Sequence, residues 1–179
     1  MLTIEELNDH IRNISDFPIE GVVFKDITTL LTHPGALNDT VRHLESASEA
    51  FKYDAIAAIE SRGFIFGSVM AANRGLPLVL IRKPGKLPGD TISEEYTLEY
   101  GTNIVEMHKN SLPAGSRVLI VDDLIATGGS AMAAVSLLRR DACTVAGAAF
   151  VVDLTFLGGG SRLSENGIPY VKLIEVDSE

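Results

Sequence analysis

Cysteine and tryptophan are almost absent from the 179-residue chain, which has one cysteine, Cys143, and no tryptophan. A single cysteine excludes an internal disulfide. Because Cys143 lies in an apolar run that continues to Phe150, we expect it to be an inert core residue. Aromatic residues make up only 6% of a chain that is 46% hydrophobic, which predicts an aliphatic α/β core.

Basic residues are also scarce: 15 lysines and arginines face 24 acidic residues, for a net charge of −9. Nucleic-acid binding needs a clustered cationic face, so the balance argues against a nucleic-acid partner and against an anionic membrane surface. Of the two small basic clusters, Arg139-Arg140 ends a predicted helix, where cations complement the helix dipole. The other, Arg82-Lys83-Lys86, follows a predicted strand.

Long apolar segments are missing, since no stretch approaches the ~20 residues that span a bilayer. The amino terminus is acidic and lacks the features of a signal peptide, so the predicted compartment is the cytoplasm. The four histidines lack the close spacing to cysteine, histidine or carboxylate that a metal site requires, and the sequence predicts no dedicated protein cage for a metal.

The most informative segment that is present runs from Val118 to Ser130. Val118–Val121 is typical of a buried strand in a parallel sheet. Asp122 and Asp123 follow, and then a turn, Thr127–Ser130, opens a helical pattern. Glycines let backbone amides converge on an anion, and a helix amino terminus adds positive potential. The turn therefore suits a phosphate.

Two carboxylates beside that turn would repel a phosphate but suit ribose hydroxyls or Mg²⁺, so the combination indicates a sugar phosphate. A Walker loop is excluded, because no lysine lies between Val118 and Asp141. A dinucleotide loop is excluded as well, because neither Gly128-Gly129 nor Gly158–Gly160 has the required spacing.

The order of elements predicts one domain, 1–179, with an α/β fold: a doubly wound, mostly parallel sheet flanked by helices. A capping box at Thr3 and Glu6 begins a first helix that we expect to reach Ile14. The predicted strands are 55–59, 76–81, 118–121, 145–152 and 170–176, and the later helices are one after Pro34, 63–73 and 129–140.

Ligands of such sheets bind at the carboxyl ends of the strands. Four polar groups follow predicted strands and should gather at that edge: Glu60-Ser61-Arg62, Arg82-Lys83, Asp122-Asp123 and Asp153. Residues 84–100 are rich in glycine, proline and charge and predict a long exposed loop or a flexible two-stranded flap. We call this segment the lid.

The segment from Val118 to Ser130 resembles the phosphoribosyl-pyrophosphate motif of the type I phosphoribosyltransferases. Other segments, covering almost the whole chain from Phe17 to Glu175, resemble the adenine phosphoribosyltransferase family within that superfamily. They are Phe17–Ile27, Glu60–Phe64, Ile81–Gly89 and Glu95–Gly101. One departure is Lys25, where family members often have arginine.

The resemblance implies a type I phosphoribosyltransferase fold and specific substrate contacts. The 5-phosphate and ribose would be bound by Asp122, Asp123, Ala126, Thr127, Gly128, Gly129 and Ser130. The pyrophosphate would be bound by Arg82, Lys83 and Lys86 and by Ser61 and Arg62, which belong to a loop where the superfamily often has a non-proline cis peptide bond. Mg²⁺ would be the cofactor, held mainly by the substrate's oxygens.

The base would lie in a small amino-terminal hood, residues 1–35. The resemblance implies that Phe24 stacks on adenine, main-chain groups of Val23 and Lys25 meet its edge, and Leu154 packs nearby. The 6-oxopurine enzymes have a lysine after the strand that here reaches Asp153, whereas this chain has Leu154 and Thr155. Glu99 would act as acid/base, Arg62 would also be catalytic, and Tyr100 would line the closed lid.

These features imply an enzyme, a glycosyltransferase of purine salvage, that makes AMP and pyrophosphate from adenine and phosphoribosyl pyrophosphate. A non-catalytic regulator that binds the same sugar phosphate and a related transferase for another base remain alternatives. The resemblance also implies a homodimer, in which Arg82 would be able to serve a neighbouring site.

Overall fold

The computed structural model describes residues 1–17, 20–97 and 101–178. The elements follow in this order: α1 (Ile4–Asp9), β1 (Arg12–Ile14), β2 (Phe24–Asp26), α2 (Thr28–Thr32), α3 (Ala36–Ser48), β3 (Ala55–Ile59), α4 (Gly63–Arg74), β4 (Leu78–Ile81), β5 (Thr91–Thr97), β6 (Thr102–His108), β7 (Arg117–Ile125), α5 (Gly129–Arg140), β8 (Thr144–Leu154), α6 (Gly159–Glu165) and β9 (Tyr170–Val176).

The central sheet has five strands in the order β4-β3-β7-β8-β9, and every neighbouring pair is parallel. Alternate residues of β7 enter different layers, since Val118 and Ile120 pack with α5 whereas Leu119 and Val121 pack with α3 and α4. Helices thus cover both faces of the sheet. The predicted doubly wound α/β fold is confirmed.

Strand β7 is longer than the apolar run predicts. Its pairing with β8 continues through Asp122, opposite Phe150, and on to Ile125, opposite Asp153. Asp122 and Asp123 therefore belong to the strand itself instead of following it. A ladder of backbone hydrogen bonds is indifferent to side-chain polarity, which is why the apolar pattern ends before the strand does.

The hood begins with the predicted capping box, in which Thr3 and Glu6 bond each other's backbone amides. The prediction that this helix reaches Ile14 is wrong, because α1 ends at Asp9 and Arg12–Ile14 forms strand β1, paired with β2. A long-range contact favours the strand: the Arg12 side chain donates two hydrogen bonds to Asp26 on β2.

Residues 91–97 of the lid form strand β5, which pairs antiparallel with β6 over its whole length. Of the two alternatives for the lid, the strand pair is therefore the one observed here. Turns and bends occupy 84–90. Leu98, Glu99 and Tyr100 lie outside the described residues, as do Pro18 and Ile19.

Helices α2 and α6 are not predicted from the sequence, because each is too short to show a helical period. Over the three described stretches of the chain, no helix combines the length and apolar character needed to cross a membrane.

Candidate active site

A cleft of ≈ 930 Å³ opens at the carboxyl-terminal edge of the central sheet. The hood, the loop after β3, the segment after β4 and the end of β7 all contribute to its wall. The lining residues are Phe17, Phe24, Glu60, Ser61, Arg62, Lys83, Lys86, Asp122, Asp123 and Leu124. This is the edge at which parallel sheets bind ligands, and three of the four predicted polar groups contribute to it.

Asp122 and Asp123 form a buried acidic pair at the base of this cleft, 8% and 4% exposed. Asp122 Oδ1 accepts a hydrogen bond of 2.9 Å from the Asp123 N–H. Burial raises the pKa of the Asp122 carboxyl well above its usual range, and the charge of Asp123 raises it further. Burial also raises the pKa of Asp123, although the Arg62 guanidinium opposes that effect.

Arg62 connects the acidic pair to the hood. Its Nε lies 2.8 Å from Asp123 Oδ2, and its guanidinium carbon lies 5.1 Å from the centroid of the Phe24 ring. The N–H does not point at the carboxylate, so Asp123 Oδ2 is buried without a hydrogen-bond partner in the described part of the chain. This oxygen therefore forms an ion pair with Arg62 but has no hydrogen-bond donor among the described residues.

The loop that carries Arg62 begins at Glu60, and the Glu60–Ser61 peptide bond is cis. Glu60 holds Arg82, the residue that follows strand β4, with Arg82 Nη2 2.9 Å from Oε1 and Nε 3.2 Å from Oε2. These hydrogen bonds lower the pKa of Glu60. Arg82 also donates to the carbonyl of Lys86 at 3.0 Å. It braces the neighbouring loops and is not among the described residues that line the cleft, unlike Lys83 and Lys86.

The predicted phosphate turn, 126–130, follows directly from the end of β7. Gly128 has φ +77°, a conformation that favours glycine, and it provides no side chain to cap α5. The first amides of a helix have no intrahelical partner, so those of α5 can bind an anion. None of Ala126, Thr127, Gly128, Gly129 or Ser130 is among the described residues that line the cleft.

Behind the turn lies Gly159, the first residue of α6. Its N–H donates to the Ala126 carbonyl at 2.9 Å, and a Cβ there would lie 2.3 Å from that oxygen. The glycine run 158–160 is thus a support for the phosphate turn, a role that sequence reasoning missed. The three consecutive glycines were the available signal in the sequence, but no local conformation was predicted for them.

The predicted base residues lie on and beside β2. Phe24 faces the cleft, with the ring of Phe17 against its edge at 5.2 Å. Lys25 points to the other face of the strand, where its Nζ donates to Asn13 Oδ1 at 2.9 Å. Val23 is half-buried just before the strand. The side chain of Lys25 is therefore engaged away from the cleft.

At the end of β8, the two predicted residues Asp153 and Leu154 lie in different surroundings. Leu154 is half-buried and packs with the core cluster that contains α3 and α4. Asp153 is 1% exposed and accepts a hydrogen bond of 3.0 Å from the Tyr170 hydroxyl. The expectation that Asp153 joins the polar edge is wrong, because α6 and Tyr170 cover it.

Comparison with known proteins decides the family. A family model described as a phosphoribosyl transferase domain matches residues 26–171. The chain is also 50% identical over 176 residues to an adenine phosphoribosyltransferase of Erythrobacter litoralis, an alignment that covers 98% of this chain and 99% of the relative. This chain belongs to the phosphoribosyltransferase family.

Solved structures of the family have the same fold. An adenine phosphoribosyltransferase of Thermoanaerobacter pseudethanolicus superposes with a TM-score of 0.92 at 45% identity, covering 97% of this chain and all of that one. The enzyme of Saccharomyces cerevisiae, complexed with an imino-altritol bisphosphate and adenine, gives 0.87 at 40% identity, covering 95% and 97%. The resemblance found in the sequence is confirmed.

Within this phosphoribosyltransferase fold, four further residues of the site had no chemical role assigned from the sequence, although Glu60 was expected at the polar edge. Phe17 and Leu124 line the cleft and Glu60 orients Arg82, although none had been given a role. Gly63 begins α4 so close to the acidic pair that a Cβ would lie 2.8 Å from Asp122 Oδ1. All four lie within or beside segments that resemble the family, which was the available signal.

Carboxylates are the only negatively charged metal-ligating side chains among the described residues that line the cleft. In residues 1–17, 20–97 and 101–178, no three histidine, cysteine, aspartate or glutamate side chains are grouped so that they would hold a metal ion. The acidic pair nevertheless supplies the carboxylate oxygens that Mg²⁺ prefers.

Proposed function

We propose that this protein transfers the 5-phosphoribosyl group of phosphoribosyl pyrophosphate to N9 of adenine, giving AMP and pyrophosphate in purine salvage. The observation that carries the proposal is the buried acidic pair beside the phosphate turn, in which Asp123 Oδ2 lies against Arg62 but accepts no hydrogen bond within the described residues. Burying two adjacent carboxylates is unfavourable, and a ligand that donates hydrogen bonds to them compensates for that cost.

The sugar phosphate fits this arrangement in two parts. The 2- and 3-hydroxyls of ribose donate to Asp122 and Asp123, while the 5-phosphate binds the backbone amides of residues 126–130 and the hydroxyls of Thr127 and Ser130. As the bond from C1 to the pyrophosphate oxygen breaks, positive charge develops on the sugar. The nearby carboxylates stabilise that charge.

The leaving pyrophosphate is bound by the polar wall of the cleft. Ser61, Arg62, Lys83 and Lys86 line that wall and supply three cationic groups. Arg62 contacts both Asp123 and Phe24. When ribose binds the acidic pair, Arg62 is released to bind the pyrophosphate and stabilise its charge as it leaves. This is the catalytic role that we assign to Arg62. Arg82 is paired with Glu60. We propose that it shapes this loop or reaches a neighbouring site in a dimer.

Adenine is recognised by the hood, residues 1–35. We propose that it stacks on Phe24, packs near Leu154, and is read by main-chain groups of Val23 and Lys25. The engagement of the Lys25 side chain with Asn13 supports this division, because only its backbone is left for the base. The main chain offers both a donor and an acceptor, which match the ring nitrogens and amino group of adenine.

Proton transfer is assigned to Glu99. As N9 bonds to C1, adenine loses its N9 proton, which Glu99 accepts. Glu99 and Tyr100 belong to the lid, 84–100, and we propose that lid closure excludes water that would otherwise capture the sugar cation.

Mg²⁺ is the proposed cofactor. When bound, it neutralises pyrophosphate charge, and most of its ligands are substrate oxygens and waters. Asp122 and Asp123 are the residues whose donor chemistry fits it. We further propose that each chain forms one domain, that the protein is a homodimer and that it acts in the cytoplasm. Sedimentation tests the oligomeric state, and cell fractionation tests the compartment.

The deciding experiment measures pyrophosphate release from phosphoribosyl pyrophosphate and Mg²⁺ with adenine, hypoxanthine, guanine or no base. We expect release with adenine alone, together with equal AMP. Binding of the sugar phosphate without release would favour the regulator, and release with another base would favour a different transferase. The same assay on the protein with Asp141→Asn, a carboxylate far from the cleft, controls for general effects of charge removal.

A further inference from the structure

Strand β5 presents a half-buried face to helix α5. Ile92, Glu94 and Tyr96 are half-buried, whereas Ser93, Glu95 and Thr97 are exposed. Ile92 and Tyr96 pack against the core cluster that includes α5 and β6. This part of the lid is therefore docked on the body of the protein.

The ring of Tyr96 lies directly on Gly129, the first residue of α5. A Cβ at Gly129 would be 2.8 Å from Tyr96 Cδ2 and 3.5 Å from the Thr97 carbonyl oxygen. Real Cβ atoms do not approach other atoms to 2.8 Å, so any side chain at Gly129 would displace the tyrosine ring.

The two adjacent glycines of the phosphate turn therefore have different reasons to be glycine. Gly128 has φ +77°, which its missing side chain permits. Gly129 has an ordinary helical conformation, which any residue adopts. What requires glycine at Gly129 is the space that Tyr96 occupies.

The carboxyl-terminal end of α5 also contacts strand β5, through Arg140. Arg140 Nη1 donates to the Ser93 carbonyl at 2.7 Å and to Glu94 Oε2 at 2.8 Å. Strand β5 is thus attached to both ends of the helix whose first turn we propose to bind the 5-phosphate. Two residues after Thr97 in the sequence comes Glu99.

We propose that Tyr96 is a positioning residue that couples the 5-phosphate turn to the lid through its contact with Gly129. This inference rests on the proposed function. The ring of Tyr96 holds the end of β5, and with it the lid, against the first turn of α5, where we propose that the 5-phosphate binds. Loss of the ring leaves sugar-phosphate binding intact but lets water reach the sugar cation.

The test compares pyrophosphate release with AMP formation in the same reaction. In the unaltered enzyme the two are equal, because every sugar reacts with adenine. In Tyr96→Ala we expect a ratio of pyrophosphate to AMP of about two or more, because water attacks C1 and yields ribose 5-phosphate. A general loss of folded enzyme lowers both products together and leaves their ratio at one.

Two variants provide matched controls. Tyr96→Phe keeps the ring and should restore the ratio to one. Ile92→Ala removes an apolar side chain from the same face of β5, farther along the strand from Thr97 and Gly129, and should leave the ratio at one. A raised ratio in Ile92→Ala equal to that of Tyr96→Ala would overturn the proposal, as would a ratio of one in Tyr96→Ala.

The contact itself is tested by a double-mutant cycle. Gly129→Ala should lower kcat by about tenfold or more in the unaltered background, and by much less with Tyr96→Ala, where the methyl group has room. Equal losses in both backgrounds would overturn the coupling. If the unaltered protein forms no AMP, the proposed function fails instead, and the contact is then read from amide exchange of residues 91–97, which Gly129→Ala should accelerate.

Discussion

Asp122 and Asp123 are buried carboxylates that we propose bind the ribose hydroxyls. We predict that replacing both with Asn lowers kcat by ~100-fold or more, because ribose loses its acceptors and the sugar cation loses nearby negative charge. The free energy of unfolding at pH 7 should stay equal or rise, since two buried charges are removed. Steady-state kinetics and urea denaturation measure the two quantities.

Asp141→Asn is the matched control for the acidic pair. Asp141 accepts hydrogen bonds from the amides of Asn110 and Ser111, at the end of α5 remote from the phosphate turn. The Asp141→Asn protein should be less stable than the unaltered protein but equally active. Normal turnover in the Asp122 and Asp123 double variant would remove the pair from the mechanism.

Lys25 is proposed to meet the base through its backbone and not through its side chain. Because its side chain is held by Asn13 on the other face of β2, Lys25→Ala should leave the preference for adenine over hypoxanthine within about threefold. Phe24→Ala, by contrast, should raise the KM for adenine. A strong shift toward hypoxanthine in Lys25→Ala would mean that the side chain contacts the base.

Glu99 is predicted to carry the proton, so Glu99→Gln should lower kcat by ~100-fold while the affinity for phosphoribosyl pyrophosphate changes little. Glu95→Gln is the comparison, since Glu95 is exposed on the outer face of β5 and should be neutral. Competitive binding of the sugar phosphate and initial rates separate the two effects, and full turnover in Glu99→Gln would exclude the assignment.

At the scale of elements, the lid divides into parts with different contacts. Strand β5 is paired with β6 and packed on α5, whereas residues 84–90 form turns and bends. Local opening is easiest where few backbone groups are paired and little apolar surface is buried. The two parts of the lid should therefore differ in mobility.

Hydrogen exchange tests this division. We expect amides of 84–90 to exchange fast in the free protein and slowly with phosphoribosyl pyrophosphate, Mg²⁺ and an unreactive adenine analogue bound. The amides of 91–97 that donate to β6 should be slow in both states. Fast exchange throughout 84–97 in the free protein would mean that the whole lid opens as one unit.

For the whole molecule, stability should depend on pH through two opposing sets of carboxylates. Hydrogen bonds from Thr28 and Arg12 lower the pKa of Asp26 from its ordinary 3.8 to about 2, so its stabilising contribution is present above about pH 4 and is lost as the pH falls toward 2. Burial raises the pKa of Asp122 and Asp123. Their contribution is most favourable at low pH and declines as the pH rises above about 4.

Urea denaturation from pH 2 to 8 resolves the two contributions. Asp26→Asn should destabilise the protein above pH 4 and converge with the unaltered protein near pH 2. The Asp122 and Asp123 double Asn variant should diverge in the opposite sense, gaining relative stability as the pH rises. Parallel curves for all three proteins would contradict both assignments.

Some parts of this molecule follow from local sequence. Strand β3 and helix α5 have the bounds that the sequence predicts, because β3 is a continuous apolar run, α5 has a helical period, and polar or glycine residues mark their ends. The phosphate turn and the acidic pair are adjacent in the chain, so the order of residues is enough to infer their chemistry. The family resemblance extends that inference to the pyrophosphate, base and lid residues.

Other parts were decided only by tertiary contacts. Residues 12–14 became a strand because Arg12 meets Asp26, and Arg82 became a brace because it meets Glu60, 22 positions away. Gly129 needs to be glycine because Tyr96, 33 positions earlier, folds onto it. Periodicity and motif spacing report on neighbours along the chain, whereas these pairings depend on how the sheet and lid are folded together, and that is where the sequence by itself stops being informative.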